Sequence, residues 1–180
     1  MERRIIIAGA GGQGILFFGK LIAYAAMLEG KEVTWFPSYG AEIRGGTANC
    51  TVVISDEMIG SPVIKEADYL VAMNEASCLK YMERLVPGGV LIYDSSLASL
   101  SAPRMDIKLH PVPASQLSAE LGNMGSANMA LTGSLSAISN LAGLNSIFSA
   151  LDNITPSRRK NMTDTNRNII KKGYDFAQNS

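Results

Sequence analysis

The sequence predicts an α/β fold of the Rossmann-like, doubly wound kind, a mostly parallel sheet with helices on both faces. Three observations carry this. A β-branched run, Ile5-Ile6-Ile7-Ala8, enters a glycine cluster spaced Gly9-x-Gly11-x-x-Gly14, and a nearly uncharged run of helix formers follows from Leu16 to Leu28. Further apolar runs alternate with helical patterns along the chain, the order that gives right-handed crossovers and parallel strands. Glycines at the first turn let the chain leave a buried strand, reverse partly at positive φ, and bring helix backbone onto strand backbone.

At 180 residues the chain has the size of one domain, so residues 1–180 are read as a single unit with one core. Sixteen basic residues balance sixteen acidic ones, so no general field favours nucleic acid or an anionic membrane. No apolar run reaches the ~20 residues of a bilayer span. The start, Met1-Glu2-Arg3-Arg4, leads at once into a strand and lacks the separate apolar segment of a secretion signal. Cys50 and Cys78 form no C-x-x-C array, which suits a reducing cytoplasm. By themselves they hold neither an iron–sulfur cluster nor a structural zinc.

The elements follow in order. After the first strand, a helix from about Ile15 to Glu29 carries Leu16, Phe17, Leu21, Ile22, Ala25 and Leu28, a face wide enough to pack on a sheet, with Gly30 as its C-cap. Glu32 to Phe36 is the second strand. Pro37 to Thr47 has no sustained period and three glycines, and reads as a structured loop. Asn49 to Ser55 is a strand, with a short hairpin-like return through Met58-Ile59. Ala67 to Met73 is a buried strand, followed by a helix from Glu75 to Leu85 with Cys78, Leu79, Met82 and Leu85 on one side. Pro87-Gly88-Gly89 stops that helix, and Val90 to Tyr93 is the next strand. Leu97 to Met105 is a loop, and Asp106 to Val112 is the last strand, with Pro111 marking an edge or an end. Helices are expected at about Ala114 to Leu121, Ala127 to Ala142, Leu144 to Leu151, and Pro156 to Gln178. There is no internal repeat.

Loops after parallel strands share one edge of the sheet, where ligands of open α/β folds sit. That edge collects Ala10 to Gln13, Pro37 to Thr47, Asn74-Glu75, Asp94 to Ser96 and Asn123 to Asn128. The glycine turn, Gly9, Gly11, Gly12, Gln13 and Gly14, is the candidate cofactor-binding element, because its free N–H groups lie at the positive end of a helix dipole. A dinucleotide site also needs an Asp or Glu about 20 residues on, closing the second strand. Phe36 and Pro37 stand there instead, so the turn is either an anion cradle or a turn kept tight for packing.

No complete catalytic set is visible. The single histidine, His110, lies in a strand beside Pro111, and the cysteines lie in apolar settings, where such residues serve structure. Glu42, Glu75 and Asp94 share an edge without any metal-ligand spacing, and each reads as a solvated loop carboxylate.

Two stretches together, Gly9-Ala10-Gly11-Gly12-Gln13-Gly14-Ile15 and Phe36-Pro37-Ser38-Tyr39-Gly40-Ala41-Glu42-Ile43-Arg44-Gly45-Gly46-Thr47-Ala48-Asn49-Cys50, resemble the gamma subunit of 2-oxoacid:ferredoxin oxidoreductases. The second stretch is most similar to the 2-oxoglutarate branch, with the pyruvate and 2-ketoisovalerate branches as neighbours. The resemblance implies a Rossmann-like domain in a complex that oxidatively decarboxylates a 2-oxoacid, transfers the acyl group to coenzyme A and reduces ferredoxin. It also implies that thiamine diphosphate and iron–sulfur clusters sit on other subunits, and that this chain binds no cofactor alone. The implied partners are alpha and beta subunits, with a ferredoxin-like delta subunit as a further candidate. Ser38, Tyr39, Gly40, Glu42, Arg44, Gly45 and Gly46 then form an interface loop near the coenzyme A approach. Arg44 either forks onto a carboxylate or phosphate of a partner or pairs locally with Glu42. Two other readings stand beside this one: a free-standing nucleotide- or coenzyme A-binding enzyme, and a scaffold subunit that binds nothing.

The pure chain is predicted to carry no iron and no thiamine diphosphate, and to give no 2-oxoacid-dependent dye reduction. Stoichiometric iron or measurable dye reduction would contradict this.

Overall fold

A computed structural model describes residues 1–38, 47–101 and 104–180 of the chain. Strand β1, Arg3–Ala10, sits inside the sheet, and Ile5, Ile6 and Ile7 are fully buried. Helix α1, Ile15–Leu28, leads to β2, Glu32–Ser38, and β3, Thr47–Ser55. Strand β4, Ala67–Ala72, is followed by α2, Glu75–Tyr81, a 3-10 turn at Met82–Arg84, and β5, Leu85–Asp94. Strand β6, Lys108–Val112, and helix α3, Ala114–Ala119, precede three further helices: α4, Ala127–Ser139; α5, Leu144–Ile154; and α6, Thr163–Gln178.

The strands are ordered β2-β3-β1-β4-β5-β6, so the order reverses at β1, as expected of a doubly wound sheet. β1 pairs in parallel with β4 and antiparallel with β3, and β2 is antiparallel to β3. Among the described strands β3 alone therefore runs against the rest, and the sheet is mostly parallel. The period of two along β1 divides its side chains between two cores. Ile5 and Ile7 face α1 and the helices from α3 onward, while Ile6 and Ala8 face α2 with Ile64, Ala98 and Ile107. Helices thus cover both faces, thickly on one and thinly on the other.

Several boundaries differ from the sequence reading. β2 continues through Pro37 to Ser38, which an edge strand tolerates because a proline there forfeits no ladder bond on its outer side. Thr47 belongs to β3, so both ends of the stretch read as a loop, Pro37 to Thr47, are strand. No strand forms at Met58-Ile59; residues 56–66 make bends instead. Pro87 and Gly88 do not end a helix but lie inside β5, where the register with β4 shifts between Ala67 and Tyr69. Gly88 takes φ 77° and donates its N–H to Asp106 O at 2.7 Å, the behaviour of a bulge, which accommodates both residues. Helix α4 stops at Ser139 because Asn140 turns left-handed at φ 54°, and the last helix begins as a 3-10 segment, Ser157–Met162. Pro111 is in β6, an edge strand, as expected.

Helices α4 and α6 pack with backbones almost in contact. A Cβ on Gly133 would lie 1.9 Å from Ile170 O, and one on Gly173 would lie 2.0 Å from Ala130 O. Ser134 Oγ lies 3.1 Å from Ala130 O and 2.9 Å from Gly173 O, bonding across the seam. Gly133→Ala is therefore expected to lower stability by at least about 2 kcal/mol in denaturant unfolding, well into the overpacking range. Gly60→Ala, where nothing lies within 4 Å of the new methyl group, is expected to stay within about 0.5 kcal/mol of the parent.

Candidate functional site at the carboxyl edge of the sheet

The glycine turn is built by a chain that must leave β1 without exposing its apolar end. Gly12 and Gly14 take φ 90° and 76°, conformations that cost other residues about 1–3 kcal/mol each. Gln13 holds the turn shut. Its Oε1 accepts the Ala10 N–H at 2.6 Å and Asn74 Nδ2 at 3.2 Å, and its Nε2 donates to Met73 O at 3.3 Å. Asn74 in turn caps α2, accepting the Ser77 N–H at 2.8 Å. One amide thus ties the end of β1 to the end of β4. Gly9 is required beside it, since a Cβ there would meet Gln13 Oε1 at 2.7 Å and Ile15 Cδ1 at 2.6 Å.

Gly14 is the N-cap of α1, with no side-chain cap and no acidic residue in the first turn. Asn128, at the start of α4, donates Nδ2 to Gly14 O at 3.4 Å, and a Cβ on Gly14 would lie 2.4 Å from that nitrogen. Between these helix starts lies a cleft of about 360 Å³ lined by Gly12, Gly14, Phe17, Ser126, Asn128, Thr155, Arg159 and Asn166, among others. A second groove of about 340 Å³, on the β3 side of the turn, is lined by Ala10, Gly11, Ile15, Leu16, Phe17 and Ala48, with no charged side chain among the described residues.

The predicted residues fall unevenly around this edge. Gly9, Gly11, Gly12, Gln13 and Gly14 come together with Asn74 and with Asn128, as the topology required. Tyr39, Gly40, Glu42, Arg44, Gly45 and Gly46 lie outside the described residues. Their flanks do not: Ser38 closes β2 opposite Asn49, and Thr47 opens β3 opposite Ala10, so both ends of that segment meet the glycine-turn edge. Asn49 donates Nδ2 to Tyr81 Oη at 2.9 Å there.

Asp94 differs from its expected role, while Glu75 stays exposed. Asp94 is fully buried rather than solvated, and it accepts the Ser96 N–H at 3.0 Å, the Ser115 N–H at 3.2 Å and the Ser115 hydroxyl at 2.5 Å, fastening α3 to β5. Glu75 accepts the Ser99 N–H at 3.0 Å. Each serves a different backbone segment, so the two do not form an acid–base pair. Burial pushes the Cys50 and Cys78 thiols up to about 12, helped at Cys78 by Glu75, which keeps both as protonated core residues. Burial and then Lys108 push the His110 imidazole below its usual value. The residues that sequence reasoning missed are Thr155, Arg159 and Asn166. They lie far along the chain from the glycine turn and carry no motif; only the packing of α6 on α4 brings them to the cleft.

Fold and edge together define a Rossmann-like α/β domain with the glycine turn at the carboxyl end of its sheet. The pyruvate ferredoxin/flavodoxin oxidoreductase family matches residues 4–176, and the chain belongs to that family. It is 37% identical over 178 residues to ketoisovalerate oxidoreductase subunit VorA of Methanothermobacter thermautotrophicus, covering 98% of this chain and 37% of that protein. It is 32% identical over 181 residues to 2-oxoglutarate synthase subunit KorC of Methanocaldococcus jannaschii, covering 99% of this chain and 95% of that one. The chain therefore spans little more than a third of the ketoisovalerate relatives but nearly all of the 2-oxoglutarate one. Among solved structures, the keto/oxoacid ferredoxin oxidoreductase gamma subunit of Geobacter sulfurreducens superposes with a TM-score of 0.87 at 28% identity, covering 99% of both chains. The 2-oxoglutarate:ferredoxin oxidoreductase of Magnetococcus marinus, with 2-oxoglutarate, coenzyme A and succinyl-CoA bound, superposes at 0.89 with 27% identity, over 99% of this chain and 31% of that one.

Gly14→Ala is expected to cost at least about 1–3 kcal/mol from its backbone conformation alone. Gln13→Ala is expected to cost about 1–2 kcal/mol through orphaned partners at Ala10, Met73 and Asn74. Urea unfolding of each variant checks both values.

Proposed function

We propose that the chain is the gamma component of a 2-oxoacid:ferredoxin oxidoreductase, acting on 2-oxoglutarate, within an assembly that releases carbon dioxide and forms the acyl-CoA. The observation that carries this reading is the match along nearly the whole length of both a 2-oxoglutarate synthase subunit and a gamma subunit. A branched-chain 2-oxoacid is the second reading, favoured by the 37% identity to the ketoisovalerate subunit. Residues 1–180 act as one gamma-type domain in the cytoplasm; no helix among the described residues is long and apolar enough to cross a membrane. Alpha and beta subunits, and a ferredoxin-like delta subunit where one is present, supply thiamine diphosphate and the iron–sulfur clusters, and ferredoxin takes the electrons.

In this assembly the segment from Tyr39 to Thr47 docks on the thiamine-bearing subunits near the entry of coenzyme A. Ser38 at the end of β2 and Thr47 at the start of β3 lie at the glycine-turn edge. Within it Tyr39 and Arg44 are the residue types in which interfaces concentrate their energy. Isolation of the complex from its native source, with identification of the bound chains and an assay across several 2-oxoacids, tests the reading. Turnover highest with 2-oxoglutarate supports it; a chain that purifies alone, with its own dehydrogenase activity, overturns it. Arg44→Ala is expected to leave the isolated chain within about 0.5 kcal/mol of the parent while impairing assembly or coenzyme A-dependent turnover. Destabilisation of the chain with full activity of the complex would make the loop an internal clasp instead.

A further inference from the structure

Asn49 stands where the two strands that flank the segment from Tyr39 to Thr47 meet β1. It is directly opposite Ser38, the last residue of β2, on one side, and directly opposite Ala8, next to Gly9 of the glycine turn, on the other. Thr47 lies just before it in the same strand. Whatever fixes Asn49 therefore fixes both ends of the segment against the glycine turn. The last rungs of a ladder open most readily, so backbone pairing alone leaves this corner the least constrained part of β3.

A side chain adds the further constraint. Asn49 Nδ2 donates to Tyr81 Oη at 2.9 Å. Tyr81 is the last residue of α2, is 6% exposed, and belongs to the core on the thinly covered face of the sheet. The ring alone suffices to fill that core; the hydroxyl is a polar addition whose partner is Asn49. The other end of α2 is fastened too, where Asn74 caps the helix and donates Nδ2 to Gln13 Oε1. The ties close a circuit. It runs from the glycine turn through Asn74, α2, Tyr81 and Asn49, and returns to the turn through the pairing of Asn49 with Ala8.

We propose that Asn49 and Tyr81 are positioning residues for the coenzyme A-dependent half of the reaction. Their hydrogen bond holds the two ends of the Tyr39 to Thr47 segment at the glycine-turn edge before the segment docks. Ends that are already held lose less freedom on docking, which strengthens the docked state. This inference rests on the docking reading given above, and neither residue is assigned a contact with substrate.

Kinetics of the assembled complex test it, with coenzyme A varied at saturating 2-oxoglutarate and then the reverse. The variants are Tyr81→Phe, Asn49→Ala and the two combined, beside Arg44→Ala. Tyr81→Phe is expected to raise the KM for coenzyme A about two- to tenfold, the range of one neutral hydrogen bond, while kcat and the KM for 2-oxoglutarate stay at the parental values. Asn49→Ala should give the same split, and the combined variant should be no worse than either alone, because the two side chains act as one unit. Asn49 is only half-buried, so its truncation decides the matter should Tyr81→Phe fold poorly. Effects that add in the combined variant, or a fall in kcat with both KM values raised alike, overturn the proposal and leave the bond as packing only. Arg44→Ala separates the inference from the reading beneath it. A raised KM for coenzyme A in Arg44→Ala, with parental values in Tyr81→Phe and Asn49→Ala, overturns the positioning role alone; parental values in all three overturn both.

Discussion

The structure depends on the reversal of the chain at the end of β1. A strand whose isoleucines are wholly excluded from water has to surrender its direction within a few residues, and the first helix has to start on top of it. The left-handed glycines make that turn sterically possible, and the amide of Gln13 makes it unique, by joining the ends of β1 and β4 through one side chain. With the turn fixed, the first turn of α1 points at the carboxyl edge, Asn128 can reach Gly14 O, and β3 starts at Thr47 opposite Ala10. A looser turn would shift all three together.

The second half of the chain supports this edge from the side. The glycine seam lets α6 approach α4 at backbone distance, closer than any side chain would permit. That approach sets Asn166, the acceptor of a 3.4 Å contact from the Ser126 hydroxyl, beside the start of α4, and the chain just before α6 closes the cleft with Thr155 and Arg159. Small residues here serve position: they determine where polar groups from two distant parts of the chain meet.

Much of the fold was legible in the sequence because it is written locally. Ile5 to Gly14 announces a strand, a turn and a helix through side-chain branching and glycine spacing, and the alternation that follows places the loop ends on one edge. What was illegible depends on partners. Pro87 and Gly88 read as a stop signal, but a bulge in β5 absorbs them, and only the pairing with β4 reveals that. Asp94 read as a solvated carboxylate because nothing in its neighbourhood announces that Ser115 will arrive to bury it. The far wall of the cleft was invisible for the same reason: Thr155 and Arg159 reach it only after α6 docks. The family resemblance rested on the two stretches around Gly9 to Ile15 and Phe36 to Cys50, and no packing rule would select the residue types of the second.

Central to this account is the claim that the carboxyl edge of the sheet is the face through which the chain works. Hydrogen–deuterium exchange, comparing the isolated chain with the same chain in its assembled complex, measures this most directly. The account predicts added protection in residues 9–17, 38–49 and 123–129, with exchange at the opposite edge, residues 56–66, unchanged. Protection confined to residues 56–66, or equal exchange throughout, would contradict it.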